Sequence, residues 1–187
     1  MWRARLTMPA LLARFDEERV VSTVTAINGG VAILGIALFA WLTDLPLIFP
    51  ALGPTAFILF SAPMTPSAAP RSVILGHFTG MLSGFVVWHL ISLFAGAPVS
   101  LENGGWPLVL SLSMALAACC FLLIRLSCPH APACATAMIV ALGGVTLWSE
   151  LLLMSFAVVW VTTQAVVINR LVGMPVTFWS PHDRHAP

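Results

Sequence analysis

Isolated charged residues divide a long apolar sequence into six stretches. The interior charges are Arg19, Asp44, Arg71, Glu102, Arg125, Glu150 and Arg170. The charge-free stretches between them cover 20–43, 45–70, 72–101, 103–124, 126–149 and 151–169. Each can supply a membrane-spanning helix, which takes about 17–25 residues, whereas a charge at the bilayer centre costs about 2.5 kcal/mol or more. The pattern therefore predicts six membrane segments with the charges near the interfaces.

The signs of the interior charges alternate, which indicates how the segments are oriented. Arg and Lys mark the cytoplasmic side of a membrane protein. If the Arg-rich N-terminus is cytoplasmic, six crossings place every interior Arg inside, every interior acid outside and both termini in the cytoplasm. Four crossings, with 50–62 and 129–145 as re-entrant hairpins, would place Arg71 and Arg125 outside. We favour six.

Proline interrupts the second and fifth segments. These prolines are Pro46, Pro50, Pro54, Pro129 and Pro132. Proline lacks the backbone N–H and clashes with the preceding helical turn, so the first half of each segment cannot be regular helix. The second halves, about 55–62 and 134–142, are apolar, but ~10 residues of helix reach only about 15 Å, half of the hydrocarbon core. Irregular backbone at this depth must be covered by protein or line a cavity, so both segments are expected inside the bundle.

The two broken segments resemble each other. Thr55-Ala56-Phe57-Ile58 matches Thr136-Ala137-Met138-Ile139 at an offset of 81, and the order long, broken, long occurs twice. Inverted repeats with an interrupted segment at matching positions are the usual signature of secondary transporters. We predict one all-α integral membrane domain built from two inverted repeats of three segments. Its parts are an N-terminus (1–23) with a short interfacial helix over 9–19, repeat one (24–104), repeat two (105–172) and a cytoplasmic tail (173–187).

Composition agrees with a membrane protein and excludes other classes. The chain of 187 residues is 59% hydrophobic and only 8% charged, whereas soluble domains carry about 25% charged residues. The net charge of +1 gives no basic face for nucleic acid. The four cysteines, which we interpret as free thiols, show no metal-ligand spacing, so no metal or cofactor is predicted. No catalytic constellation is visible, and an enzyme is not expected.

The two short helices predict an anion site. With six crossings, their N-termini converge near the bilayer midplane from opposite sides. Each N-terminus carries roughly +0.5 charge and unpaired N–H donors, so two of them can bind an anion without Lys or Arg. Thr55 and Thr136 add a hydroxyl to each first turn. The predicted substrate-binding residues are Gly53, Pro54, Thr55, Ala56, Cys134, Ala135 and Thr136, with His77 and His130.

These residues also have simpler interpretations. The two threonine hydroxyls could cap or back-bond their own helices. Ionisable residues inside a membrane favour a cavity or a proton-handling role, but the alternative for His77 and His130 is a neutral, hydrogen-bonded interior histidine. Asn28, Arg71 and His89 are further candidates for the pathway. For Asn28 the alternative is pairing with backbone of the broken segments, and for Arg71 it is an interfacial anchor or helix-packing contact.

Small residues recur at a spacing of four in the third segment. Gly76, Gly80 and Gly84 form two overlapping G-x-x-x-G units around His77. Such units allow two helices to approach closely. The packing could be within one chain or between two chains, so a homo-oligomer is left open.

Two stretches resemble the HPP family of integral membrane proteins. Residues 50–63 (PALGPTAFILFSAP) and 66–77 (PSAAPRSVILGH) are similar to its first signature block. The run His130-Ala-Pro132-Ala-Cys134 is similar to its second, His-Pro-Pro-Ala-Gly, and departs from it at Ala131 and Cys134. The resemblance implies a bacterial inner-membrane protein, with plant and cyanobacterial relatives linked to nitrite transport. The family is usually described with four membrane segments.

Two functional hypotheses follow. The first is a transporter or channel for a small inorganic anion such as nitrite or nitrate, bound at the opposed half-helix N-termini. The second is a non-transporting membrane scaffold or sensor subunit, in which the broken segments are packed solid. The expected partners are the lipid bilayer and, for the first hypothesis, the small anion.

Overall fold

The chain folds as a helical bundle. The computed structural model describes residues 7–180, and within that range it contains seven α-helices and no strand. The helices are α1 (Met8–Leu12), α2 (Glu17–Thr43), α3 (Leu52–Ser61), α4 (Pro70–Ala95), α5 (Gly105–Arg125), α6 (Pro132–Ile139) and α7 (Trp148–Leu171). A 3-10 turn, Pro66–Ala68, precedes α4, and a π-helical turn, Val140–Gly144, follows α6.

Four helices, α2, α4, α5 and α7, are long and apolar enough to cross a membrane. Polar groups mark their ends. The Asp16 carboxylate accepts from the Arg19 N–H at the start of α2, and the Glu150 carboxylate accepts from the N–H groups of Thr146 and Leu147 before α7. The predicted interfacial helix over 9–19 is wrong in extent. Helix α1 ends at Leu12. A new helix, α2, begins at Glu17 after the Asp16 cap, so residues 17–19 belong to α2.

One end of the bundle, here called the N-terminal end, gathers several chain segments. The Met8 N–H donates to the Val172 carbonyl after α7, and the Arg71 N–H at the start of α4 donates to the Trp179 carbonyl. The Arg71 guanidinium donates to the Leu126 and Ser127 carbonyls after α5. The starts of α2 and α4 and the ends of α5 and α7 therefore lie together. As a result, 44–69 and 126–147 each connect opposite ends of the bundle.

Each connecting segment contains an extended stretch and a short helix. The short helices α3 and α6 begin at Leu52 and Pro132, slightly earlier than the predicted 55 and 134. Helix α3 runs toward the N-terminal end, since only eight residues separate it from α4. Helix α6 runs in the opposite direction, alongside α4. The first turns of the two short helices consequently face each other.

The connecting segments share one pattern of burial at the offset of 81. In 47–60 and in 128–141 the buried positions coincide. They are 47, 49, 51, 52, 55, 56, 59 and 60 in the first segment and 128, 130, 132, 133, 136, 137, 140 and 141 in the second. Every buried residue of α7 also falls 81 positions after a buried residue of α4. The two halves of the chain therefore bury equivalent faces.

The glycines of α4 pack against α6 of the same chain. A methyl group at Gly80 would collide with the Ala133 carbonyl oxygen, and one at Gly84 would collide with the Ala137 carbonyl oxygen. At Gly76 it would lie 3.1 Å from the His130 Cβ. The close approach predicted for these glycines is thus used within the chain, where it holds α6 parallel to α4.

Candidate functional site

Four buried polar side chains meet where the short helices face each other. Thr55, His77, His130 and Thr136 each have 0% exposure. His77 lies between the two threonines, with Nε2 2.8 Å from Thr55 Oγ1 and Nδ1 2.8 Å from Thr136 Oγ1. His130 Nε2 lies 3.2 Å from His77 Nε2 and 3.2 Å from Thr55 Oγ1. One imidazole therefore bridges the first turns of α3 and α6.

A proline makes the backbone partner of His130 available. In a 3-10 turn the Ser67 carbonyl would bond to the residue three positions on, but that residue is Pro70, which has no N–H. The carbonyl is instead 2.9 Å from His130 Nδ1. A carbonyl only accepts, so Nδ1 of His130 carries a hydrogen and donates it.

We predicted unpaired backbone N–H donors at the N-termini of the two short helices, but these donors have partners in the structure. The N–H groups of Leu52, Gly53 and Thr55 bond to the Phe49, Pro50 and Ala51 carbonyls. Those of Ala133 and Cys134 bond to the His130 and Ala131 carbonyls. Because turns precede both helices, these N–H groups are already used. The hydrogen-bonding groups of the cluster are therefore hydroxyls and imidazole nitrogens, while the helix dipoles still point at it.

The other residues predicted to bind substrate lie beside the cluster. Ala56 is buried next to Thr55, and Cys134 and Ala135 are partly buried. Gly53 and Pro54 are exposed and face away from the buried side of α3. The Cys134 Sγ lies 3.7 Å from the Cys120 Sγ of α5 and not among the histidines. Between residues 7 and 180, no trio of His, Cys, Asp or Glu side chains is arranged to hold a metal ion.

The three candidate pathway residues do not join the cluster. The Arg71 guanidinium caps the C-terminus of α5, where a cation complements the helix dipole. His89 Nδ1 donates to the Phe85 carbonyl within α4, and its ring contacts Phe85 and Trp88. Asn28 is half-buried on α2. We suggested that Asn28 could pair with the backbone of the broken segments. In the structure Asn169 makes such a bond.

Asn169 was not apparent from the sequence. The Leu59 carbonyl in α3 would bond to the residue four positions on, which is Pro63 and has no N–H. Asn169 Nδ2 of α7 donates to this carbonyl at 2.9 Å instead. The proline is visible in the sequence, but the helix that supplies its substitute donor is not.

Phe49 is a second contributor that the sequence did not indicate. Its ring stands edge-on to the His77 ring, with centroids 6.1 Å apart, while the His130 ring is 5.0 Å from His77. Phe49 and His130 are separated by 81 positions and occupy equivalent places in the two extended stretches. One half of the chain therefore flanks His77 with an apolar ring and the other with an imidazole.

A cavity of about 360 Å³ lies at the N-terminal end of the bundle, close to this cluster. Its lining includes Leu59, Pro66, Ala68, Asn169 and Val176. Pro66 and Ala68 flank Ser67, whose carbonyl bonds to His130. The 3-10 turn therefore lies between the cavity and the buried histidines.

The fold is a helical bundle with four candidate membrane-spanning helices and a buried polar cluster at the junction of two short helices. The family model for the HPP transmembrane region matches residues 16–176. The chain belongs to the HPP family. Comparison with curated proteins and with solved structures finds no match.

Proposed function

We propose that this protein is a transporter or channel for a small inorganic anion such as nitrite or nitrate. The observation that carries the proposal is the bridging of Thr55 and Thr136 by His77. Two short helices that run in opposite directions place their positive ends at one imidazole, inside a bundle that lipid surrounds. Such a junction of broken segments is the usual position of a substrate site in secondary transporters.

We further propose that 44–69 and 126–147 both cross the membrane, giving six crossings in two inverted repeats. Their connection of opposite bundle ends and the coincident burial at offset 81 support this. The N-terminal end then carries Arg14, Arg19, Arg71, Arg125 and Arg170. By the positive-inside rule this end is cytoplasmic, which fits a bacterial inner-membrane protein with both termini inside.

The chemistry of the cluster suits an anion better than a cation. The Thr136 hydroxyl and the imidazole N–H groups can donate to an anion, and the dipoles of α3 and α6 favour negative charge. The Thr55 hydroxyl donates to the Ala51 carbonyl of its own helix at 2.8 Å and would have to turn from it to do the same. Asp44, Glu102 and Glu150 are the only acids between Arg19 and the C-terminal tail. None belongs to the short helices or to α4. A metal cation entering the cluster would find no carboxylate.

The cavity beside the 3-10 turn supports an approach from the cytoplasmic end. It is separated from His130 by the turn around Ser67. In the structure the cluster itself is closed, since all four side chains have no solvent exposure. We interpret this as an occluded arrangement, in which the polar groups of the cluster bond to each other. A bound anion would replace some of these bonds.

Flux into vesicles of phosphatidylethanolamine and phosphatidylglycerol tests the function. Purified protein should raise nitrate or nitrite entry at least tenfold above empty vesicles, and His77→Gln should abolish most of this gain. Thr163→Val is the matched control, because Thr163 is exposed on α7 and its hydroxyl bonds within its own helix. Entry of nitrate, nitrite, chloride and formate at the rate of empty vesicles would refute the proposal.

The second candidate is a non-transporting scaffold or sensor subunit. It is favoured by the fact that the polar groups of the cluster already form hydrogen bonds with one another. It predicts that the face of α3 carrying Gly53, Pro54 and Phe57, which is exposed in the single chain, is covered by another protein. A cysteine in place of Phe57 would then crosslink to a partner or to a second copy. The flux assay separates the two candidates, because a scaffold moves no anion.

A further inference from the structure

We propose that the His77–His130 pair takes up one proton, and only one, with each anion that it binds, so that transport is electroneutral. This inference rests on the anion function proposed above. It names the co-substrate, a proton, and its stoichiometry. The geometry that carries it is the 3.2 Å distance between the two Nε2 atoms. On its other side the His130 ring bonds to the Ser67 carbonyl, which can only accept, and the His77 ring bonds to the Thr136 hydroxyl, which can rotate.

With both rings neutral, every ring nitrogen has a partner. His130 Nδ1 donates to the Ser67 carbonyl, so His130 Nε2 is an acceptor. His77 carries its hydrogen on Nε2, which faces His130 Nε2 at 3.2 Å and Thr55 Oγ1 at 2.8 Å. His77 Nδ1 then accepts from the Thr136 hydroxyl at 2.8 Å. The hydrogen bonds run in one direction, from Thr136 to Ser67.

One added proton can be accommodated by rotating a single hydroxyl. It binds Nδ1 of His77, which changes from acceptor to donor toward Thr136 Oγ1. The Thr136 hydroxyl then turns its hydrogen toward the Pro132 carbonyl, 3.5 Å away. The remaining bonds keep their direction. A cation now stands at the positive ends of two helix dipoles, so it is stable only when an anion is bound beside it.

A second proton is opposed by the first. It would have to bind Nε2 of His130, which faces the N–H of His77 at 3.2 Å and Thr55 Oγ1, also at 3.2 Å and already facing that same N–H. Two N–H groups would then point at each other, and two imidazolium charges would repel in a medium of low dielectric constant. The pair therefore changes between charges of zero and +1.

The surroundings supply no other counter-charge. The ionisable side chains on the elements packed around the pair are Arg71 and His89 on α4, Cys119, Cys120 and Arg125 on α5, Cys128 and Cys134 around the start of α6, and Glu150 and Arg170 on α7. The Glu150 carboxylate is at the start of α7, at the other end of the bundle, where it bonds to the Thr146 and Leu147 N–H groups. The guanidinium of Arg71 is engaged with the Leu126 and Ser127 carbonyls. No carboxylate lies between Asp44 and Glu102 or between Glu102 and Glu150. The negative charge that balances the imidazolium is therefore that of the bound anion.

Simultaneous measurement of nitrate and proton entry tests the stoichiometry. Nitrate is the probe because its conjugate acid is too strong to carry it across a bilayer unaided. Proteoliposomes should take up protons and nitrate in a ratio of 1, and an applied potential of about 100 mV should change the rate less than twofold. A single uncompensated charge would be biased about fiftyfold by that potential at equilibrium. A potential-driven flux, or a ratio of 0 or 2, would overturn the inference.

Protonation of the pair can be measured without transport. In a variant with His89, His182 and His185 replaced by Gln, the ¹⁵N spectrum reports His77 and His130 alone. Addition of nitrate or nitrite in nanodiscs should convert one ring of the pair to imidazolium, and His77→Gln should abolish this conversion. Two imidazolium rings, or two neutral rings with anion bound, would overturn the inference. If no anion moves in the flux assay, the anion function fails, and this spectrum still decides the proton count.

Discussion

His77 contacts both halves of the molecule with one side chain. Its two ring nitrogens bond to threonines 81 positions apart, and its ring lies between Phe49 and His130. The equivalent position in the second half is Val158, which is buried in the apolar core. The polar site is therefore asymmetric although it lies between equivalent segments. One imidazole, from the first half of the chain, bonds to threonines of both halves.

Loss of the Thr136 hydroxyl should weaken both stability and transport. Thr136→Val keeps the volume of the side chain but leaves His77 Nδ1 without its partner. An unsatisfied buried polar atom costs about 1–3 kcal/mol, which thermal unfolding in detergent would measure. We expect nitrate flux to fall at least tenfold. The control Thr163→Val should change stability by less than about 0.5 kcal/mol, as surface substitutions usually do. Equal effects of the two changes would contradict the role of Thr136.

The sequence indicated the polar members of the cluster but not its apolar and backbone members. Thr55, His77, His130 and Thr136 stand out because polar residues are scarce in these segments. Phe49 looks like any core aromatic, and the part played by Ser67 is that of its carbonyl oxygen. The sequence does not specify which residues bond to one another, because those contacts depend on how α3 and α6 turn toward α4.

At the scale of elements, α6 is positioned mainly by backbone. The Ala133 and Ala137 carbonyls lie against Gly80 and Gly84 of α4, where a side chain in place of either glycine would collide with the carbonyl oxygen. His130 precedes α6 and lies against Gly76. A change in the spacing of α4 and α6 therefore moves His130 relative to His77. The sequence predicted the close packing of these glycines but left open whether it lies within one chain or between two.

Gly80→Ala should displace α6 from α4. The added methyl group meets the Ala133 carbonyl, which is backbone and cannot rotate away. Overpacking of this kind typically costs about 1–3 kcal/mol. Gly30→Ala on α2 is the matched control, since nothing lies within 4 Å of its added methyl group, and it should stabilise the helix by roughly 0.5–1 kcal/mol. Thermal unfolding of both variants measures the difference, and a Gly80→Ala protein as stable as Gly30→Ala would contradict this packing.

The prolines of the broken segments create bonds as well as interrupting helices. Pro63 frees the Leu59 carbonyl for Asn169, and Pro70 frees the Ser67 carbonyl for His130.

We expect Asn169→Leu to destabilise the protein by about 1–3 kcal/mol, because the Leu59 carbonyl would stay unpaired in an apolar setting. Asn28→Leu, on the half-buried face of α2, should cost less than half of that. Chemical unfolding in mild detergent would compare the two, and equal losses would argue against the Asn169 bond.

At the scale of the whole molecule, the arrangement of long and short segments was predicted from charges and prolines alone. The four long apolar helices and two short ones agree with that prediction. The similarity of the two broken segments covers only four residue pairs in the sequence, whereas their burial coincides over two whole segments. An apolar side chain can be exchanged for another without exposing the buried face, so a shared pattern of burial is visible where residue identity is not.

Side-specific labelling distinguishes six crossings from four. In a background with the four native cysteines replaced by Ser, single cysteines at Arg14, Met64, Leu101 and Leu126 report exposed positions at the two ends of the bundle. Arg71 holds the chain after α5 beside the start of α4, and Met8 holds the chain after α7 beside α1. These contacts place positions 14, 64 and 126 at one end and 101 at the other.

With six crossings, a membrane-impermeant maleimide added to the outside of cells should label the cysteine at 101 and spare the other three. Four crossings would pair 14 with 101 and put 64 and 126 on the opposite side. Disruption of the cells should then label all four positions, which controls for accessibility. Labelling of 64 and 126 from outside would show that the short helices re-enter on one face. In that case their positive ends would no longer approach His77 from opposite leaflets, and the basis for an anion site between them would be lost.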